Sequence, residues 1–386
     1  MLDMCSQGES LKCVERDKKY IVPEGQKIPD WIVNEARLLN DALYKGVVEK
    51  VEGSVDFQDE GELVDIMKGL VDITYFVEMP NEWVKAEERG EKMMELFKQE
   101  VELENGKVGT LADRLAETGS ALSIAMSTLD ASTAEAIKFL NEKDVPVIAW
   151  VVLSDGEGYW TNPLNLENTK EKIQKIRKWK KDYNLNFDCY GFDLENPLDV
   201  MRPIMNRDIF GFVKKWLGYN REAKKVFKKA SPQESFEALL KSLSESGEGY
   251  EFYIAPKIAL NILGTGLKPP KDAREIEMVY TSETPLSLGV SVLLSRNKIP
   301  AIGILNAKEG ETPGRFDKSG APALPKHHTP EETLRDIRQI LKKRVNVENR
   351  EFDLADLYVF ALNGRNVMSQ TMQALNQAFE ELKSKN

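Results

Sequence analysis

The sequence predicts an α/β fold: a parallel (β/α)8 (TIM) barrel with an N-terminal helical extension and an insertion after strand 4. Three observations carry that prediction. Short β-rich apolar runs recur eight times, segments of helical period separate them, and no Gly-rich phosphate fingerprint follows the first run, which disfavours a doubly wound open sheet. At 386 residues and 41% hydrophobic content, the chain is long and apolar enough for such a core.

The expected organisation is a tail with capping helices over residues 1–70 and the barrel over 71–386. The helix signal in the first part is "DWIVNEARLLNDALYKGVVEKV", with its amphipathic spacing. The strand runs are "DITYFVEM" from Asp72, "ALSIAMST" from Ala121, "VPVIAWVVL" from Val145, "FDCYGFDLE" from Phe187, "YEFYIAPKI" from Tyr250, "EIEMVYTSE" from Glu275, "IPAIGILNA" from Ile299 and "DLYVFALNG" from Asp356. Each is a brief continuous apolar stretch, as strands covered on both faces require.

Helices are expected in "TAEAIKFLNEKD", "TKEKIQKIRKWKKDY", "TPEETLRDIRQILKKRV" and "VMSQTMQALNQAFEELKSK", where apolar residues recur at i, i+3, i+4 and i+7. "TPEE" is a start signal, with Thr329 as N-cap, Pro330 in the first helical position and Glu332 in capping-box register. Leu198 to Gly249 is too long for a simple connection and holds two helical patterns, "RDIFGFVKKWL" and "SPQESFEALLKSLSES". It reads as an insertion beside the barrel mouth. Residues 311–330 form the second long loop.

Composition excludes several functions. The charge of -10, from 63 acidic and 53 basic residues interspersed along the chain, offers no basic stripe for a phosphate backbone, so no nucleic-acid partner is expected. No apolar run reaches the length of a membrane span and the N-terminus has no signal-peptide layout, so no membrane partner is expected. The default compartment is the cytoplasm, with an extracellular site as the alternative. Three cysteines, Cys5, Cys13 and Cys189, make no disulfide scaffold; Cys5 and Cys13 could close a small loop, and free thiols are the expectation. His327 and His328, adjacent in one loop, are the only histidines. A histidine metal site cannot be built, a Ser-His-Asp triad is nearly excluded, and neither metal nor other cofactor is expected.

The chemistry concentrates on the fourth run. Alternation puts Cys189, Gly191, Asp193 and Glu195 on one face and Asp188, Tyr190, Phe192 and Leu194 on the other, and Asn196 with Pro197 ends the strand. The acids therefore stand at the carboxyl end, where barrel active sites lie. A neighbouring carboxylate such as Asp193 raises the pKa of Glu195, which suits a general acid.

These residues resemble glycoside hydrolase family 18, the chitinase and endo-N-acetylglucosaminidase-like barrels, whose fourth strand carries D-x-x-D-x-D-x-E. Asp188, Asp193 and Glu195 match it, and Gly191 stands in place of the inner aspartate. The third run ends "LSDGEG", matching S-x-G-G at Ser154 and Gly156 but with Glu157 for the second glycine. The sixth contains Met278 and Tyr280 of M-x-Y-D, with Thr281 for the aspartate. The tryptophan that ends strand eight in that family is missing from "FALNG", and Tyr159 with Trp160 could supply a stacking platform instead.

The resemblance implies a carbohydrate substrate containing N-acetylhexosamine and substrate-assisted retention. Glu195 would act as acid/base, Asp193 would orient the acetamide and Tyr280 would hydrogen-bond it, with Asn196 beside them. Two alternatives stand beside this reading. Glu309, after the seventh run, could be a protein nucleophile, which requires carboxyl groups about 5–5.5 Å apart. The barrel could also bind glycan without turnover. Oligomeric state is not legible in the sequence.

Overall fold

The structure is a computed structural model that describes residues 19–21, 72–79, 84–103, 106–205, 208–254, 266–271, 273–278, 299–303, 329–343, 345–346, 351–353, 356–362 and 365–383. Eight strands are ordered as a closed barrel: β1 (Ile73–Val77), β2 (Ala121–Ala125), β3 (Val147–Val151), β4 (Cys189–Leu194), β5 (Gly249–Ile254), β6 (Arg274–Met278), β7 (Ile299–Gly303) and β8 (Leu357–Phe360). Each strand falls within, or overlaps, the run predicted for it. Neighbours from β2 to β6 pair in parallel, as do β7 and β8. The fold is therefore the (β/α)8 barrel that the strand–helix rhythm predicts.

Chain contacts divide the molecule into two units. The first, built mainly from residues 76–278, holds β2 to β6 with helices α1 (Arg89–Phe97), α2 (Leu111–Glu117), α3 (Ala131–Asn141), α4 (Leu166–Tyr183), α5 (Leu198–Met205), α6 (Ile209–Lys229) and α7 (Pro232–Glu245). Local chemistry sets many of their ends. Thr110 and Asp113 form a reciprocal capping box on α2, Asp130 caps α3 by accepting from the Thr133 N–H, and Asn184 closes α4 in the left-handed region at φ 52°. An antiparallel pair, Glu100–Glu102 with Val108–Thr110, precedes α2 and has no counterpart among the sequence expectations.

Three helices fill the predicted insertion rather than two, and the last belongs to the barrel wall. Phe236 of α7 packs edge-on against Phe192 of β4 at 6.1 Å and against Phe252 of β5 at 5.9 Å. The inserted element is therefore the α5–α6 hairpin, while α7 serves as the crossover helix between β4 and β5.

Inside the first unit, Phe76 of β1, Trp150 of β3 and Tyr253 of β5 meet edge to face, with centroids 4.8 to 5.9 Å apart. The Tyr253 hydroxyl donates to Glu251 (2.7 Å), lies 2.6 Å from the Ser123 hydroxyl of β2, and Glu251 pairs with Arg274 of β6. Tyr253 also occupies the space beside Gly191, where an added Cβ would run into its ring. Cys189 carries a disulfide whose partner lies outside the described residues. That corrects the expectation of free thiols: a count of three does not make a scaffold, yet one pair can still meet in the fold.

The second unit contains β7 and β8, with α8 (Pro330–Lys343) and α9 (Arg365–Lys383). The Leu357 N–H donates to the Asp72 carbonyl at 2.8 Å. Thr329 and Glu332 form the predicted reciprocal cap, and Gln370 of α9 donates to the buried Thr333 of α8. A small antiparallel sheet joins Lys19–Ile21, Glu351–Asp353 and Val345–Asn346. Apart from Lys19–Ile21, the expected N-terminal extension of residues 1–70 lies outside the described residues.

Replacing Gly191 with Ala is expected to lower unfolding free energy by about 1–3 kcal/mol, the usual cost of overpacking a filled core. Gly156→Ala, where nothing lies within 4 Å of the added methyl, is the control and should be near neutral. Denaturant midpoints of the two variants check this.

Candidate active site

Asp193 and Glu195 stand at the carboxyl end of β4 but in different surroundings. Asp193 is 2% exposed, while Glu195 is half-buried and reaches solvent. Burial, reinforced by the charges of Glu195 and then Glu78, holds the Asp193 carboxyl well above the usual carboxylate range. Its Oδ1 has no hydrogen-bond partner among the described residues to offset that burial. Asp193 thus holds its proton to higher pH than an exposed aspartate does.

The loop after β3 is pinned over β4. Ser154 and Glu157 form a capping box around a short 3-10 turn, and Gly158 and Tyr159 follow at φ 99° and 63°. A left-handed tyrosine costs energy that its surroundings must supply. They do so through hydrogen bonds from both main chain and side chains. The Leu153 N–H donates to the Tyr159 carbonyl, the amides of Asn162 and Asn165 donate to the Trp160 carbonyl, and the Thr161 N–H donates to the Asp193 carbonyl. Tyr159 is thereby aimed at β1, where its hydroxyl donates to Glu78 at 2.5 Å. Burial and the Glu78 charge push the Tyr159 phenol up, so it remains a donor.

The predicted residues divide accordingly. Asp193, Glu195, Asn196 and Tyr159 belong to this cluster, and the half-buried Trp160 packs edge-on against Tyr159 at 5.6 Å. Asn196 is fully buried and neither amide atom has a partner among the described residues, an arrangement that leaves its hydrogen-bonding capacity unused. Ser154 is exposed and engaged in its turn, which explains its presence without a ligand. Met278 is buried at the end of β6. Tyr280 and Glu309 lie outside the described residues.

Sequence reasoning missed Glu78 and Lys172. Glu78 directly follows β1, the same placement that drew attention to Glu195, and "YFVEMP" carried that signal. Lys172 of α4 sends its ammonium to the Ser127 carbonyl at 3.4 Å, and its pKa is lowered to about 8 by burial and then by Lys175. Nothing in its helix-period context marks it. Among the described residues, no group of three or more His, Cys, Asp or Glu side chains could hold a metal ion.

No protein-family profile and no curated protein matches the chain. Solved structures with some likeness include a D-tagatose 3-epimerase-like protein at 9% identity and TM-score 0.37, covering 69% of this chain and 90% of that one. A GH18 chitinase from Pseudoalteromonas aurantia is 11% identical at TM-score 0.35, covering 79% and 99%. A family GH18 chitinase from Cycas revoluta, in complex with allosamidin, is 9% identical at TM-score 0.39, covering 80% and 99%. Scores this low carry no argument about the reaction. The barrel is established by its own strand order, and the chemistry must be read from the residues.

The Asp193 proton predicts a pH dependence of stability. The folded protein holds it across a range where the unfolded chain, with an ordinary aspartate near about 3.9, has released it, so stability falls as pH rises through that range. Asp193→Asn removes the cost. The variant's gain in melting temperature over wild type should therefore be small near pH of about 4 and widen toward about 8. Thermal scans at several pH values check the sign.

Proposed function

We propose that this barrel is a glycoside hydrolase acting on N-acetylhexosamine-containing glycans, with Glu195 as its acid/base. The observation that supports this most is the contrast at the end of β4. Of two carboxyls on one strand face, Glu195 is exposed enough to touch a ligand, while burial holds the Asp193 carboxyl beneath it above the usual carboxylate range. Two carboxyls on one strand held in such unlike surroundings are the pattern on which acid and base roles are divided.

In this reading Glu195 protonates the glycosidic oxygen as the C–O bond breaks, and the substrate's acetamide carbonyl oxygen attacks the anomeric carbon to give a cyclic oxazolinium. Glu195, now a carboxylate, takes a proton from the water that opens the ring with net retention. Asp193 acts through Glu195 and through the electrostatics of the mouth. Tyr280 is assigned the acetamide contact and Trp160 a stacking face.

Gly191 favours a second reading, a glycan-binding barrel without turnover. Tyr253 fills the space an inner aspartate would need, so the proton of Asp193 has no carboxylate beneath it at that position. Direct displacement by Glu309 is the third, and it does not need the acetamide.

Glu195→Gln should retain fold and ligand affinity while turnover of a chromogenic N-acetylglucosaminide falls by about 10²- to 10⁴-fold. A plain glucoside should be a poor substrate even for wild type. Equal turnover of the two glycosides would favour Glu309. Binding of the N-acetylated ligand with no hydrolysis by wild type would favour the non-catalytic barrel, and unchanged hydrolysis in Glu195→Gln would assign the acids of β4 to structure.

A further inference from the structure

Helix α6 of the inserted hairpin has two unlike sides. Phe212, Tyr219 and Ala223 are buried in a cluster with Val200 of α5, flanked by Met201 and Trp216. Opposite them, at successive spacings of three and four, Phe210, Val213, Leu217, Arg221, Lys224 and Lys228 line up along the exposed side. Its first half is apolar, with Phe210 91% exposed, Val213 42% and Leu217 55%. Its second half is cationic.

The charge is local. The helix carries seven basic residues and one acidic residue, Glu222, within a chain whose formal charge is -10. Burial of its inner face accounts for Phe212 and Tyr219 but leaves the outer stripe unexplained. A helix that only shields a hairpin needs polar residues there, not a phenylalanine projecting into water.

We propose that this stripe docks on an anionic lipid surface, with Phe210, Val213 and Leu217 entering the headgroup boundary and Arg221, Lys224 and Lys228 meeting lipid phosphates and carboxylates. Apolar side chains beside basic ones on one face of a surface helix are what such an interface takes. A nucleic-acid backbone would match the cations but has nothing for three apolar side chains to enter. The arrangement is compatible with the absence, among the described residues, of any helix able to cross a membrane, since α6 would lie on the surface.

The test is co-sedimentation of the full chain with vesicles of phosphatidylcholine alone and of phosphatidylcholine with about a third phosphatidylserine. The protein should pellet with the second, not the first, and be released by high salt. Phe210→Ser with Leu217→Ser, and separately Arg221→Glu, Lys224→Glu and Lys228→Glu together, should each weaken binding at least about tenfold. These positions are exposed, and an unchanged circular dichroism spectrum verifies the fold. The proposal is overturned by no sedimentation with the anionic vesicles, by equal sedimentation with both kinds, or by binding that neither variant weakens. It is also overturned if wild type is a dimer that Phe210→Ser with Leu217→Ser converts to monomer, which would assign the stripe to a second copy. Salt-sensitive binding to duplex DNA that survives the apolar substitutions would likewise overturn it, in favour of a phosphate backbone.

Discussion

Tyr253 against Gly191 is the contact on which the first unit depends. One aromatic side chain on β5 reaches over a residue without a Cβ on β4, touches Phe76 and Trp150 edge-on, and shares its hydroxyl with Ser123 and Glu251. Through Glu251 the chain of polar contacts continues to Arg274 of β6. A barrel interior must be filled, and its buried polar groups must be paired. Here one tyrosine serves both needs, joining β2, β4, β5 and β6. Each polar group in the chain offsets the burial of the next, so losing any one would leave a charged or hydroxyl partner exposed to the low dielectric of the interior.

That packing also shapes the site above it. Asp193 lies one step further along the same face of β4, in register with Tyr253. With the level below it filled by an aromatic ring, Asp193 is shut off from water, and the nearby charges of Glu195 and Glu78 add to the cost of ionising it. Glu78 in turn is engaged by Tyr159, which a backbone held in the left-handed region aims across the mouth. Two acids two residues apart thus differ in solvent access, through packing below and a pinned loop beside them.

The eight strands were legible because buried parallel strands leave a strong mark: brief apolar runs bounded by turn residues and separated by helix-period segments. The capping box at Thr329 was legible for a related reason, since it depends on residues three apart. The strand-face assignment of Asp193 and Glu195 needed only the two-residue period. By contrast, the hairpin before α2 and the division of the segment after β4 into an inserted pair and a barrel helix depend on which apolar faces meet. Phe236 looks the same in sequence whether it packs on β4 and β5 or elsewhere.

What the sequence by itself determined was therefore the barrel, the position of its fourth-strand acids at the carboxyl end, and the want of histidines and clustered cysteines. Those properties follow from local period and composition. Only the tertiary structure decided that Gly191 is the space for Tyr253, that Asp193 is sealed while Glu195 reaches solvent, that Glu78 joins them from β1 through Tyr159, and that Phe210, Val213 and Leu217 face outward. Each of these turns on residues far apart in the chain, or on what lies beyond a helix face. Burial, desolvation and exposure are properties of the packed surroundings, and a residue's neighbours in sequence do not specify them.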